Sequence, residues 1–276
     1  MALADKPGRG LRARSVKKAR LERSEQNGDG MTRLSNCLAV SLLTAVGAVL
    51  AGTALAGDAA EFRSHGFSDD ERGRYFAFEE FGVESGPHYP YSNIYIVDLA
   101  TDKWVPDTPV RVRLQEEGET PIVARVRAFE KATPIMQQYQ ISNSGVLLAA
   151  SPVSEVGEKA IMRFQKTTQP LLNNTASPYT LEINTKDVKD LNGCEMGGGT
   201  VTGFSLTLTT PAGETRKLHD ETSAPRSRGC PLDYHLSAVF APTRMEAQTH
   251  AVALVGVFSK ADDGQDLRYI AVPFSF

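Results

Sequence analysis

The groups in this chain that could do chemistry are five histidines, a pair of cysteines set in loops, and a few acidic runs. The histidines are His65, His88, His219, His235 and His250. None stands in the H-E-x-x-H spacing that places two imidazoles on one helical face for zinc. His219 is followed directly by Asp220 and Glu221. A hydrolase with residues dispersed along the chain would use His219 with one of these two acids. No serine lies in a G-x-S-x-G elbow, and no G-x-x-x-x-G-K loop is present to cradle phosphate. Asp69-Asp70-Glu71 and Asp262-Asp263-Asp266 do not match the calcium-binding EF-hand loop and read as solvated turns. Gly197-Gly198-Gly199 reads as a flexible turn. The sequence therefore calls for no metal and no cofactor.

Tyr89, Tyr91 and Trp104 are the candidate recognition residues. Aromatic side chains are enriched at contact surfaces, and these three lie in or beside a proline-containing loop or turn. Aromatics so placed also pack a loop onto its own sheet, and both readings stay open.

The stretch that positions them is Phe67–Trp104. It holds two aromatic-rich runs, Tyr75-Phe76-Ala77-Phe78 and Ile94-Tyr95-Ile96-Val97. Such residues suit a pleated, half-buried surface, and Ser68-Asp69-Asp70 and Gly73 supply the turn before the first run. Pro87 and Pro90 lack the N–H a ladder needs. The expectation is an antiparallel strand pair joined by a long loop.

Ser68, Asp70, Gly73 and Arg74, followed by Asn93, Ile94, Tyr95, Val97 and Asp98, resemble one blade of TolB-type and WD-repeat-like β-propellers. Glu71 and Arg72 interrupt the turn of that pattern. The same stretch, with Arg228-Gly229-Cys230-Pro231 and the closing Val257–Val272, also resembles a bacterial family of predicted secreted proteins, domain of unknown function 2259. That resemblance runs over nearly all of the chain after Gly57. It implies an exported protein and carries no activity.

Met31–Ala56 has the three parts of a secretory signal peptide: basic Arg33, the apolar run Leu38–Leu55, and small residues at Ala54-Leu55-Ala56. Cys37 precedes the run, so it is not a lipid-anchor cysteine. Residues 1–30 are basic and read as an upstream extension ahead of a start at Met31. Residues 57–276 are then the mature, exported domain. Of the chain's 30 Lys and Arg and 33 Asp and Glu, residues 1–56 hold nine and four, so the mature charge is near −8. That acidity disfavours nucleic acid, and no further run approaches membrane-spanning length. The expected location is the periplasm or the outside of the cell. Cys194 and Cys230 would there form a disulfide.

Pro121–Ala132 reads as the one principal helix, ending near Ala132 or kinked at Pro134, with Ile122, Val126, Phe129 and Met136 near helical spacing as a core-packing stripe; Ile122, Ala124, Val126 and Ala128 also alternate as a strand would. Strand patterns cover Val110–Leu114, Gly145–Ala150, Ala160–Gln165, Tyr179–Asn184, Gly203–Thr209, Thr215–Leu218, Leu236–Phe240, Ala251–Phe258 and Arg268–Phe274. A polar loop at 166–178 separates two halves. The fold expectation is mainly β, with antiparallel sheets in a propeller-like or sandwich arrangement and one helix. The functional expectation is a non-catalytic binding or interaction module, whose partner is an unknown periplasmic protein or ligand; the alternative is the periplasmic hydrolase above.

Overall fold

The computed structural model describes residues 57–116, 118–152, 160–167, 177–194, 200–246, 248–262 and 264–276. The segments read from the sequence as an upstream extension (1–30), a signal peptide (31–56) and a turn (Gly197–Gly199), and most of the one read as a loop (166–178), lie outside the described residues.

The fold is mainly β. The first sheet holds β1 (Glu61–Ser68), β2 (Tyr75–Val83), β3 (Pro90–Asp98), β4 (Lys103–Trp104), β5 (Val110–Arg113) and, after α1 (Pro121–Gln138), β6 (Ile141–Asn143). Its order is β4-β3-β2-β1-β6, with β5 also on β3. A central sheet runs β14-β13-β12-β7, from β7 (Val146–Ala150), β12 (Pro231–Ala241), β13 (His250–Ala261) and β14 (Gly264–Ser275). A third sheet runs β11-β10-β9-β8, from β8 (Ile161–Phe164), β9 (Tyr179–Lys189), β10 (Thr200–Thr209) and β11 (Thr215–Asp220). All the strand pairs within these sheets are antiparallel.

Side-chain alternation shows how the layers stack. On the central sheet, Ala238, Phe240, Val252 and Leu254 pack with Phe67, Phe76, Phe78 and Val97 of the first sheet. The opposite face, through Val239, Ala253, Val255 and Val272, packs with Leu181, Ile183, Phe204 and Leu206 of the third. The outer face of the first sheet, through Ala77, Ile94 and Ile96, lies under α1. The layers are thus helix, sheet, sheet, sheet. β13 reads as an unbroken apolar run because Ala251–Phe258 are buried on both faces.

The propeller resemblance does not extend to this architecture. β2 and β3 are interior strands of one open sheet, not a blade around an axis. They pair as expected, from Tyr75↔Asp98 to Val83↔Pro90. Pro90 begins β3 instead of lying in the loop, so the connection is short. Asp70 builds the preceding turn by accepting from the Arg72 and Arg74 N–H groups at 2.9 and 3.0 Å. Gly73 has φ +61°, and a Cβ there would come within 2.3 Å of Pro242.

Two expectations for the helix are corrected. α1 continues through Pro134 to Gln138. Pro134 is solvent-exposed, so the carbonyl its ring orphans can face water. Its buried face is Ala124, Ala128, Ala132 and Met136, whose alanines let the helix approach the sheet. Ile122, Val126 and Phe129, read as core, are 68%, 51% and 47% exposed.

Candidate functional site: a cleft where three sheet edges meet

β14 is an outer strand of the central sheet, β4 of the first and β11 of the third. A cleft of two lobes, about 420 and 340 Å³, runs where these edges approach one another. A short 3-10 turn, Arg226–Arg228, closes one side. Both lobes share Tyr95, Trp104, Ser227, Arg228, Tyr269 and Ile270.

Trp104 reaches the cleft through a local device. Asp98 accepts from the Ala100 N–H at 3.0 Å, and Asp102 adopts φ +53°, so the chain doubles back after β3. Trp104 then pairs opposite Val97, and opposed residues share a face. The indole therefore looks toward the central sheet. It is 48% exposed, with its ring 5.7 Å from that of Tyr95. Lys103 lines one lobe and Arg111 the other, the latter guanidinium 6.0 Å from the indole centre. Among the described residues neither cation has an ion-pair partner.

The floor is polar for a reason rooted in the β14 edge, where an outer strand must satisfy outward-facing backbone groups. Leu267 N–H donates to the Asp58 carbonyl at 2.8 Å, and the Leu267 carbonyl accepts from Ala60 N–H at 3.2 Å. Tyr269 N–H donates to the buried Glu80 carboxylate at 2.8 Å. Glu80 also accepts from Asn93 at 3.3 Å and the Tyr95 hydroxyl at 3.4 Å. Burial pushes the Glu80 carboxyl up, and the Tyr269 N–H and nearby Arg268 draw it back. Burial likewise raises the Tyr95 hydroxyl, which stays neutral. Arg268 donates to Asp58 Oδ2 at 2.6 Å.

The His219 wall matches half of the acid–base expectation. His219 Nε2 lies 3.2 Å from Glu221 Oε1, and its ring stacks on Phe204 at 4.6 Å. Glu221 is also bound by Arg228 and by the Phe204 N–H at 3.2 Å. Asp220 instead pairs with Lys186 and Lys217. Across the cleft, crowding raises the Asp102 carboxyl, and His219 and Arg228 act against that rise. Among the described residues no serine, threonine or cysteine side chain hydrogen-bonds to His219, and no group of His, Cys, Asp and Glu is placed to hold a metal. No helix among them is long and apolar enough to cross a membrane.

The three sequence-predicted aromatics are not brought together. Trp104 is in the cleft. Tyr91 is buried, its hydroxyl donating to Asp58 at 3.2 Å beneath the Arg268 guanidinium. Tyr89 lies under Arg113, 4.5 Å from guanidinium to ring centre, and Arg113 is held by Glu84. Cys194 and Cys230 form a disulfide with Cα atoms 5.5 Å apart. It ties the segment after β9 to the start of β12, beside the Ser227–Gly229 wall. Sequence reasoning missed Tyr95, Arg111, Arg228 and Tyr269 as site residues. Only Tyr95 left a signal, since strand alternation puts it on the face of Val97.

The family described as Predicted secreted protein (DUF2259) matches residues 77–275. No curated protein and no solved structure matches the chain. Since the match spans well over half of its length, the chain belongs to that family.

Proposed function

We propose that this member of the predicted secreted protein family is an exported, periplasmic binding protein without catalytic activity, and that its ligand sits in the cleft around Trp104. One observation carries the reading. The only tryptophan of the chain stands half-open where both lobes join, between Lys103 and Arg111, cations with no ion-pair partner among the described residues. Open aromatic surface beside unsatisfied charge favours ligands over self-packing. The acidic mature charge disfavours nucleic acid, and after signal cleavage no membrane attachment is expected.

Because Trp104 is the sole tryptophan, its emission reports the cleft alone. Titrating the exported protein with the small-molecule fraction of the cell envelope should change that emission saturably. An unchanged spectrum from folded protein would remove the support for a ligand site. Cell fractionation checks the compartment: the protein should appear in the periplasm, beginning at Gly57.

The His219–Glu221 contact on the cleft wall favours one second reading, a hydrolase. Under it, His219→Ala would abolish turnover of a chromogenic ester or glycoside and leave ligand binding in place. Under the binding reading there is no turnover to abolish.

A further inference from the structure

Resting on the binding reading above, we infer that the cleft takes a sugar acid, a hydroxylated ring bearing a carboxylate, alone or within a short acidic glycan. Three properties of the wall must be met together. The half-exposed indole of Trp104 offers a flat apolar face, against which the C–H face of a sugar ring can stack. Lys103 and Arg111 put into each lobe one cation without an ion-pair partner among the described residues. A carboxylate answers either, and the planar guanidinium of Arg111 can bind both of its oxygens.

The remaining polar groups discriminate among anions. Asp102 stands in one lobe and Asp266 and Asn93 in the other. Carboxylate oxygens and the Asn93 amide oxygen accept hydrogen bonds, so they suit the hydroxyls of a sugar. The carboxylates repel the denser charge of a phosphate. A plain aromatic acid would stack and pair, but it would bring no hydroxyl to these acceptors. A neutral sugar would satisfy the acceptors and leave both cations unanswered. Only a hydroxylated ring with a carboxylate meets all three demands. The two lobes meet at Trp104, so a chain of two such units can run from the Lys103 lobe to the Arg111 lobe past the indole.

The test titrates the exported protein with digalacturonate, cellobiose, inorganic phosphate and benzoate, following Trp104 emission, with calorimetry as a second readout. Digalacturonate should bind saturably, more weakly as salt is raised, and about tenfold or more tighter than the other three. Arg111→Gln and Lys103→Gln, each checked for an unchanged melting temperature, should each weaken it roughly tenfold, the value of one charge-assisted hydrogen bond. Benzoate, phosphate or cellobiose binding as tightly as digalacturonate would overturn the sugar acid and leave the binding cleft standing. Silence toward all four, with Trp104 still open to acrylamide, would also overturn the sugar acid alone. A Trp104 closed to acrylamide would remove the cleft reading itself.

Discussion

β13 and β14 pair along their whole length, from His250↔Ser275 to Ala261↔Gly264, yet they live in different environments. Eight successive residues of β13, Ala251–Phe258, are buried between two sheets. Its partner β14 is an outer strand whose free side meets Asp58 and Glu80 and then opens into the cleft. The interior strand concentrates stabilisation in packed aliphatic groups. The edge strand gives up that packing and must satisfy its polar groups one by one, which is where space for a ligand arises. Stability and binding should therefore respond to different substitutions.

The largest effect belongs to the interior. Leu254→Ala, at a fully buried position between two layers, should cost about 2–5 kcal/mol, read as a lower urea midpoint. Ligand-induced change in Trp104 emission should survive in whatever fraction folds. Loss of that response at full folding would break the separation of the two regions.

Next is the staple, which belongs to both. Cys194→Ser should cost about 2–4 kcal/mol, and the double variant with Cys230→Ser little more than the single one. Because the disulfide adjoins the Ser227–Gly229 wall, ligand affinity should fall with it. Unaltered affinity would assign the staple to stability alone.

The consecutive glutamates of β2 sharpen the contrast by sign. Glu79, on the helix side, is held by Arg125 at 2.8 and 3.0 Å, by Ser92 at 3.0 Å and near His65 at 3.6 Å. Burial works to raise its carboxyl, but these partners hold it down at about 2. A depressed folded pKa contributes stability that is present above the unfolded value and lost as pH falls through the folded one. That contribution, on the order of 2–3 kcal/mol, should disappear between about pH 4.5 and 2. Glu79→Gln should flatten acid unfolding over this window. Glu80, on the cleft side, is shifted upward by burial. Its contribution therefore declines as pH rises above the unfolded value, and Glu80→Gln should remove that decline. Equal slopes in the two variants would contradict the assignment.

The smallest effect on stability is at the mouth. Trp104→Ala should move the melting free energy by about 0.5 kcal/mol or less and abolish ligand binding by calorimetry.

Much of the fold was legible. Alternation marked most strands, the apolar run marked β13, and Cys194 and Cys230 were read as a pair. What was not legible depended on distant partners. Glu79 and Glu80 look like an ordinary polar strand end, but their partners Arg125 and Tyr269 are 46 and 189 positions away. On α1, the bulkier Ile122, Val126 and Phe129 outweighed the alanines in the pattern, although close approach to a sheet favours the smaller residues. Of the site, Trp104 could be singled out by type and loop setting. Tyr269 and Arg228 are ordinary strand and turn residues until the three edges converge.

The central claim is that Trp104 stands in an open cleft that attracts anions. Comparing quenching of its emission by iodide and by caesium, at equal ionic strength in the purified protein, tests this without a ligand. Iodide should quench strongly and caesium weakly, and the difference should shrink in the Lys103→Gln, Arg111→Gln double variant. Equal quenching by the two ions, or stronger quenching by caesium, would contradict the account.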